Sequence, residues 1–238
     1  MGNLLSAKEA VCEYKNEPGK KVYDFLAEEP LFGYVDVVDK LEKDDKSQKI
    51  LVMGQRGAGK SRLINVLFGG EVVESTAGFV SVTQDIKFVR GKNSKGNDVT
   101  VIDMNRFYIK RDEMKKIILS MKKKLSENAP KIDKVIVCLN ATSPLGFADI
   151  EVIKEMLLWL GYKDGSEKFL FVLTHTFSLE GETLERLHRE GKEVIGLRET
   201  DKFINVDFLQ GPLVEGDVAR GFVTESVKLL YDFCEKKN

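Results

Sequence analysis

The segment from Lys49 to Ser61 constrains the fold of this chain most strongly. It reads KILVMGQRGAGKS, a short apolar run followed by a glycine-rich turn and the start of a helical pattern. Gly54 to Ser61 fits G-x-x-x-x-G-K-[ST], the pattern of a phosphate-binding loop. A chance glycine-rich turn is the alternative, but a strand before the loop and a helix after it are the context that the motif requires. The segment therefore predicts a nucleotide-binding loop.

Each residue type in this loop has a physical reason to be there. Glycines let the backbone turn tightly and bring consecutive N–H groups against a polyphosphate. The Lys60 ammonium can reach the outer phosphates, and the Ser61 hydroxyl suits a Mg²⁺ ion. The following helix adds N–H groups and the positive end of its dipole. The candidate binding residues are Gly54, Gln55, Arg56, Gly57, Ala58, Gly59, Lys60, Ser61 and Arg62.

The composition narrows the class of protein. With 238 residues and 42% hydrophobic content, the chain suits one α/β domain plus an extension, or at most two small domains. Lys plus Arg (37) nearly cancels Asp plus Glu (38), so the overall charge predicts no nucleic-acid partner. Cys12, Cys138 and Cys234 are odd in number and far apart, which indicates reduced thiols in the cytoplasm. His175 and His188 lack neighbours at ligand spacing, so we expect no structural metal.

The N-terminus carries a second motif. Met1 to Ser6, MGNLLS, matches M-G-x-x-x-[ST], in which Gly2 accepts myristate once Met1 is removed. Coincidence is the alternative reading of so short a pattern. A single myristoyl chain holds a protein on a bilayer only marginally. The motif thus predicts a cytoplasmic protein that associates peripherally with a membrane.

Residues 1–47 form an extension before the first core strand, and residues 48–238 form the predicted domain. Pro18-Gly19 breaks the extension. Val22 to Ala27 and Val35 to Leu41 have short helical patterns, so we expect the extension to be helical.

Two strand-like runs, Asp85 to Arg90 and Asp98 to Asp103, are separated by a turn rich in Gly, Asn and Ser. So short a connection predicts an antiparallel hairpin. The second run ends in Asp103, as a Walker B strand does, with a carboxylate that can hold Mg²⁺. An ordinary strand-end aspartate is the alternative, which the upstream phosphate loop disfavours.

Arg111 to Glu127 has the pattern of an amphipathic helix with many lysines on its polar face. A solvated face is the favoured interpretation, and docking to anionic lipid is the alternative. The lysines are Lys115, Lys116, Lys122, Lys123 and Lys124.

The rest of the chain alternates strand and helix patterns, which predicts a three-layer α/β domain with a mostly parallel sheet and one antiparallel edge strand. The predicted helices are Ser61 to Phe68, Ala148 to Leu160, Glu180 to Arg189 and Asp217 to Glu235. The further strands are Lys134 to Asn140, Lys168 to Thr174 and Phe203 to Val206.

The motifs together resemble the immunity-associated GTPases of the avirulence-induced-gene type, relatives of septins and of chloroplast-import GTPases. Besides the phosphate loop, the resemblance rests on Glu74-Ser75 with Val82-Thr83, on an insert at Thr142 to Gly161, and on Leu173 to Glu180, and it spans about residues 48 to 207. It implies a P-loop GTPase-like domain that binds GTP or GDP with Mg²⁺ and dimerises across its nucleotide face. By this resemblance Thr83 would contact Mg²⁺ and the terminal phosphate, and Thr174, His175 and Asn205 would contact the base.

Two motifs depart from the family pattern. The third, normally D-x-x-G, reads Asp103-Met104-Asn105-Arg106, so an arginine replaces the glycine at the γ-phosphate. The base motif T-x-x-D-x-L-E has Phe177 where the aspartate would pair with guanine. A phenyl ring can stack on a base but accepts no hydrogen bonds, and base rejection depends on such pairing. ATP is therefore not excluded as a ligand.

The leading hypothesis is a membrane-associated guanine-nucleotide switch with slow, dimerisation-dependent hydrolysis, because no glutamine follows Asp103 to orient water. Lys60, Thr83 and Arg56 are the catalytic candidates, and Ser61, Thr83 and Asp103 the candidate Mg²⁺ ligands. The alternative is a nucleotide-bound scaffold that does not hydrolyse. A small-molecule kinase would need a lid with paired arginines, which the sequence lacks. The intact phosphate loop disfavours a fold that has lost its nucleotide.

Overall fold

The computed structural model describes residues 30–73, 86–104, 114–163, 167–176, 179, 181–206 and 227–235. These residues form seven strands and five helices. The strands are β1 (Phe32–Val38), β2 (Gln48–Gly54), β3 (Ile86–Asn93), β4 (Asp98–Met104), β5 (Lys134–Asn140), β6 (Phe169–Thr174) and β7 (Phe203–Val206). The helices are α1 (Lys60–Leu67), α2 (Met114–Asn128), α3 (Phe147–Trp159), α4 (Gly181–Ile195) and α5 (residues 227–235).

All seven strands belong to one sheet in the order β1-β3-β4-β2-β5-β6-β7. The five strands from β4 to β7 in this order are parallel to one another. Strand β3 is antiparallel to β4, which confirms the predicted hairpin, and β1 is antiparallel to β3. The carboxyl ends of the parallel strands therefore share one edge of the sheet, where ligands of open α/β sheets bind.

Two apolar layers enclose the sheet, as a three-layer α/β fold requires. On one face, α2 and α3 pack onto the sheet through residues such as Met121, Leu125 and Met156, all nearly or fully buried. On the other face, α1 and α5 pack through residues such as Leu63 and Leu230. The central strands β2, β5 and β6 are apolar on both sides because helices cover both faces.

The helical pattern expected over Val35 to Leu41 is wrong, because residues 32–38 form the edge strand β1. The apolar spacing of Val35, Val38 and Leu41 matched a helical period. However, β-branched residues favour strands, and an edge strand with much exposed surface has no clear alternation to reveal it. The sheet consequently begins before residue 48, and its antiparallel strand β3 lies one position inside the edge.

Among the described residues, no helix combines the length and the apolar character that crossing a bilayer requires.

Candidate functional site

The phosphate loop leaves the carboxyl end of β2 at a position that only glycine can occupy. Gly54 has φ of 143° and is in parallel register with Cys138 of β5. A Cβ atom on Gly54 would lie 2.0 Å from the carbonyl oxygen of Cys138. Gly59, at the N-cap of α1, has φ of 72°, in the left-handed region that glycine adopts without strain. The backbone thus makes the tight strand-to-helix turn that the motif predicts.

Lys60 is only 6% exposed, and its ammonium group lies within the loop. Its Nζ donates hydrogen bonds to the carbonyl oxygens of Gly54 (3.0 Å) and Gln55 (2.9 Å). These two bonds fix a positive charge at the start of α1, where the helix already favours an anion. The loop therefore combines a fixed cation with a helix N-terminus.

Gln55 braces the loop against the segment that follows β5. Its side chain is 4% exposed, and its Nε2 donates to the carbonyl oxygen of Ser143 (3.1 Å). The backbone N–H of Asn140 donates to Gln55 Oε1 (3.4 Å), and Asn140 Nδ2 donates to the carbonyl oxygen of Gly57 (3.2 Å). The Gln55 side chain thus holds the loop, while its backbone remains part of the candidate phosphate site. Sequence reasoning did not identify Asn140, although it is the polar residue that ends an apolar strand.

Thr174 connects the phosphate loop to the predicted base-recognition segment. It is 1% exposed, and its Oγ1 donates toward the carbonyl oxygens of Leu139 (3.1 Å) and Ala58 (3.4 Å). The same oxygen lies 2.9 Å from Nδ1 of His175. Among the described residues, His175 is the one non-glycine with positive φ (61°), and its side chain is exposed. Thr174 is therefore a brace, and His175 is the exposed group beside the loop.

Asp103, near the carboxyl end of β4, lies beside the strand that leads into the loop. It is 2% exposed and in parallel register with Val52. Burial raises the pKa of the Cys138 thiol to about 12, with the charge of Lys60 lowering that pKa and the charge of Asp103 raising it. Cys138 therefore stays protonated at neutral pH, and its thiol lies within electrostatic range of both charged groups.

The donor set around the loop fits a Mg²⁺ ion bound together with phosphate. Ser61, in the first turn of α1, is half-buried and contributes a hydroxyl, and Asp103 contributes a carboxylate. The described residues contain no group of three His, Cys, Asp or Glu side chains that could hold a metal alone. A Mg²⁺ ion here would need phosphate and water oxygens, which is its usual mode of binding.

Of the remaining candidate residues, some lie at the phosphate loop, one is hydrogen-bonded away from it, and others fall outside the described residues. Arg56 is exposed on the loop, and Arg62 is half-buried in α1. Asn205 of β7 accepts a hydrogen bond through its Oδ1 from Nε2 of His188, a residue of α4 (2.7 Å). Its amide is thus engaged away from the phosphate loop. The described residues do not include the predicted residues Gly2, Thr83, Arg106 and Phe177.

Solved structures with this fold include three structures of chloroplast translocon proteins. Toc33 from Arabidopsis thaliana, in a dimerisation-deficient mutant, has a TM-score of 0.58 at 18% identity, covering 82% of this chain and 88% of that chain. Toc33 with Mg²⁺ and GMPPNP has a TM-score of 0.56 at 17% identity, with the same coverage. A structure of chloroplast translocon components, described as showing that dimerisation is important for GTPase activity, has a TM-score of 0.55 at 17% identity and covers 82% and 86%.

No curated protein sequence matches the chain. The family model of the AIG1 family matches residues 48–196, which is more than half of the chain and includes the phosphate loop, the buried Asp103 and the Thr174 brace. The sheet order and the loop geometry of this chain are those of a P-loop domain. The chain therefore belongs to the AIG1 family, and its fold is that of a P-loop GTPase.

Proposed function

We propose that the protein is a switch that binds guanine nucleotides without strongly excluding ATP, hydrolyses GTP slowly and depends on dimerisation to do so. The observation that carries the proposal is the phosphate loop, in which Lys60 Nζ is fixed by the carbonyl oxygens of Gly54 and Gln55 at the N-terminus of α1. Such a loop is suited to a polyphosphate, because glycines with positive φ bring its backbone N–H groups together at the start of a helix.

In this proposal the loop amides and Lys60 bind the phosphates, and Ser61, Thr83 and Asp103 hold Mg²⁺. The ion, when bound, neutralises charge that develops on the transferred phosphoryl group. The protein contributes position and charge, since phosphoryl transfer requires little covalent participation from side chains. No glutamine follows Asp103 to orient water, so we expect slow intrinsic turnover.

Dimerisation would supply positive charge that a single copy lacks at its phosphate site. Arg56 is exposed on the phosphate loop, at the surface where a second copy would bring further positive charge. The translocon structure described above supports this by likeness, because dimerisation is stated to be important for its GTPase activity. We therefore expect a homodimer that is tighter with a GTP analogue than with GDP.

The test is light scattering and phosphate release on the same full-length protein over a wide range of concentration. We expect the analogue to shift the protein to a dimer and the specific activity to rise with concentration. A monomer with flat specific activity would remove the dimerisation part of the proposal.

A nucleotide-bound scaffold that does not hydrolyse is the second candidate. It is favoured by the third motif, in which Arg106 replaces the glycine that would meet the γ-phosphate. Tight binding with no phosphate release at any protein concentration would support this candidate over the switch.

Membrane attachment through Gly2 completes the proposal and rests on the sequence motif alone. Mass spectrometry of the N-terminal peptide from a eukaryotic host is the direct check. An intact Met1 or an unmodified Gly2 would contradict it.

A further inference from the structure

Helix α2 concentrates positive charge on a protein that is nearly neutral. Between Met114 and Asn128 it carries five lysines and one glutamate, whereas the whole chain has a formal net charge of −1. Its buried face is apolar, because Ile117, Ile118, Met121 and Leu125 all pack into the core. The lysines thus lie on a helix whose orientation relative to the sheet is fixed.

Helix α4, which packs in the same apolar layer as α2, shows what an ordinary solvated face of this protein is like. It mixes three basic and four acidic residues between Gly181 and Ile195, and Arg186 lies 3.8 Å from Glu190, one turn away. Mixed signs limit repulsion along a helix, whereas like charges destabilise it. Solvation alone therefore does not explain the nearly single-signed face of α2.

The outer face of α2 also exposes a large apolar side chain among its charges. Leu119 is 66% exposed, with Lys115 one turn before it and Lys123 one turn after it. Lys115, Lys116 and Lys123 are all exposed, and Lys123 Nζ lies 3.9 Å from Oε1 of Glu127, the one acidic residue of the helix. Lys122 is directed to α3, where its Nζ lies 3.1 Å from Glu155 Oε2. The outer face is thus defined by Lys115, Lys116, Leu119 and Lys123.

We propose that this outer face of α2 docks on the surface of an anionic membrane. Lysines near an anionic bilayer gain attraction that adds with each charge, and an apolar side chain among them can enter the headgroup region. The inference rests on the proposed membrane attachment, since a single myristoyl chain needs a second contact for stable binding. An acidic protein could also contact this face, but the exposed Leu119 among lysines favours the lipid surface.

The first experiment measures binding of the full-length, unacylated protein to vesicles at low ionic strength, with and without phosphatidylserine. We expect binding only with the anionic lipid and loss of binding at high salt, because salt screens exposed charges. The triple variant Lys115→Gln, Lys116→Gln and Lys123→Gln should bind at least about tenfold more weakly. The matched control replaces three exposed lysines elsewhere, Lys43, Lys46 and Lys95, by Gln and should bind like wild type.

The second experiment identifies the face that contacts the lipid. An environment-sensitive dye is attached to Leu119→Cys, or to Leu229→Cys on α5, which lies in the opposite helical layer and is 49% exposed. Both variants carry Cys12→Ser, and the buried Cys138 and Cys234 should not react. We expect the dye at position 119, and not the one at position 229, to shift its emission to the blue with anionic vesicles.

The proposal is overturned if wild type does not bind, if neutral vesicles bind equally, if both triple variants behave alike, or if only the dye at position 229 responds. An acidic protein partner would then be the remaining explanation for the lysines on the outer face of α2. Since the protein is unacylated and no nucleotide is present, these outcomes do not depend on myristoylation or on GTP binding. Those parts of the proposed function are tested by their own measurements.

Discussion

The proposed phosphate end and the proposed base end of the site differ in how they are built. At the phosphate end, Gly54, Gly59 and Lys60 make a loop that is fixed by backbone geometry and by buried hydrogen bonds. At the base end, Thr174 is committed to carbonyl oxygens and Asn205 to His188, so neither side chain is arranged for a base.

This difference indicates which part of a nucleotide the protein recognises best. Backbone N–H groups and a fixed ammonium recognise any nucleoside polyphosphate, whereas a base is recognised by specific side-chain hydrogen bonds. In this chain Phe177 occupies the position of the aspartate that would make those hydrogen bonds. We therefore expect strong phosphate recognition and weak discrimination between bases.

The largest expected effect is structural. Gly54→Ala would place a Cβ atom 2.0 Å from the carbonyl oxygen of Cys138, so β2 and β5 could not keep their register. We expect a loss of roughly 4 kcal/mol or more in the free energy of unfolding, or no folding, by chemical denaturation. In the control Gly57→Ala, nothing lies within 4 Å of the new Cβ. It should lose only about 1–2 kcal/mol through backbone strain. Equal stability of the two variants would contradict this account of the loop.

The next effect is on binding. Lys60→Ala removes the fixed charge of the loop and should weaken Mg²⁺–nucleotide binding by about 100-fold or more, equivalent to about 2.7 kcal/mol. Lys92→Ala, at an exposed position on β3, is the control and should bind like wild type. Calorimetry measures the affinity, and circular dichroism checks that Lys60→Ala is folded. Unchanged affinity in a folded Lys60→Ala variant would exclude this loop as the phosphate site.

Restoring the base contact should sharpen the comparison between the two ends. Phe177→Asp supplies the carboxylate that can accept from guanine, so we expect the preference for GTP over ATP to rise about tenfold or more. Phe177→Leu is the control, because it removes the ring without adding an acceptor. Competitive displacement of a fluorescent nucleotide gives both affinities. No change in the ratio for Phe177→Asp would show that position 177 does not face the base.

The smallest effect concerns the brace between the two ends. Thr174→Val keeps the shape of the side chain but leaves the carbonyl oxygens of Leu139 and Ala58 without the hydroxyl donor. We expect a loss of about 1–2 kcal/mol in stability, measured by urea denaturation. Thr174→Ser retains the hydroxyl and should recover much of that loss. If both variants match wild type, then the hydroxyl does not hold the loop.

The parallel centre of the sheet was the part most open to prediction from sequence. Strand β5 begins and ends at the predicted residues because a continuous apolar run between polar ends marks a strand buried on both faces. Strand β1 was not predicted, because its residues form neither a continuous apolar run nor a regular alternation of buried and exposed positions. The buried central strand β5 thus leaves a clearer sequence pattern than the exposed edge strand β1, although the other edge strand, β7, was predicted at its observed bounds.

The braces of the site could not be read from sequence in the same way. Asn140 and Gly57 lie 83 positions apart, and Thr174 and Ala58 lie 116 positions apart. The phosphate motif is local, so spacing alone reveals it. A contact between distant positions depends on sheet order, which motif spacing does not specify.

The most direct test of the central claim is a calorimetric titration of wild-type protein with Mg²⁺–GTP and Mg²⁺–ATP, with Lys60→Ala as the reference for the loss of the phosphate site. If the phosphate end supplies most of the affinity, both nucleotides should bind wild type within about a factor of ten of each other, and Lys60→Ala should bind neither measurably. Rejection of ATP by several orders of magnitude would contradict the claim, because another group would then have to recognise the base.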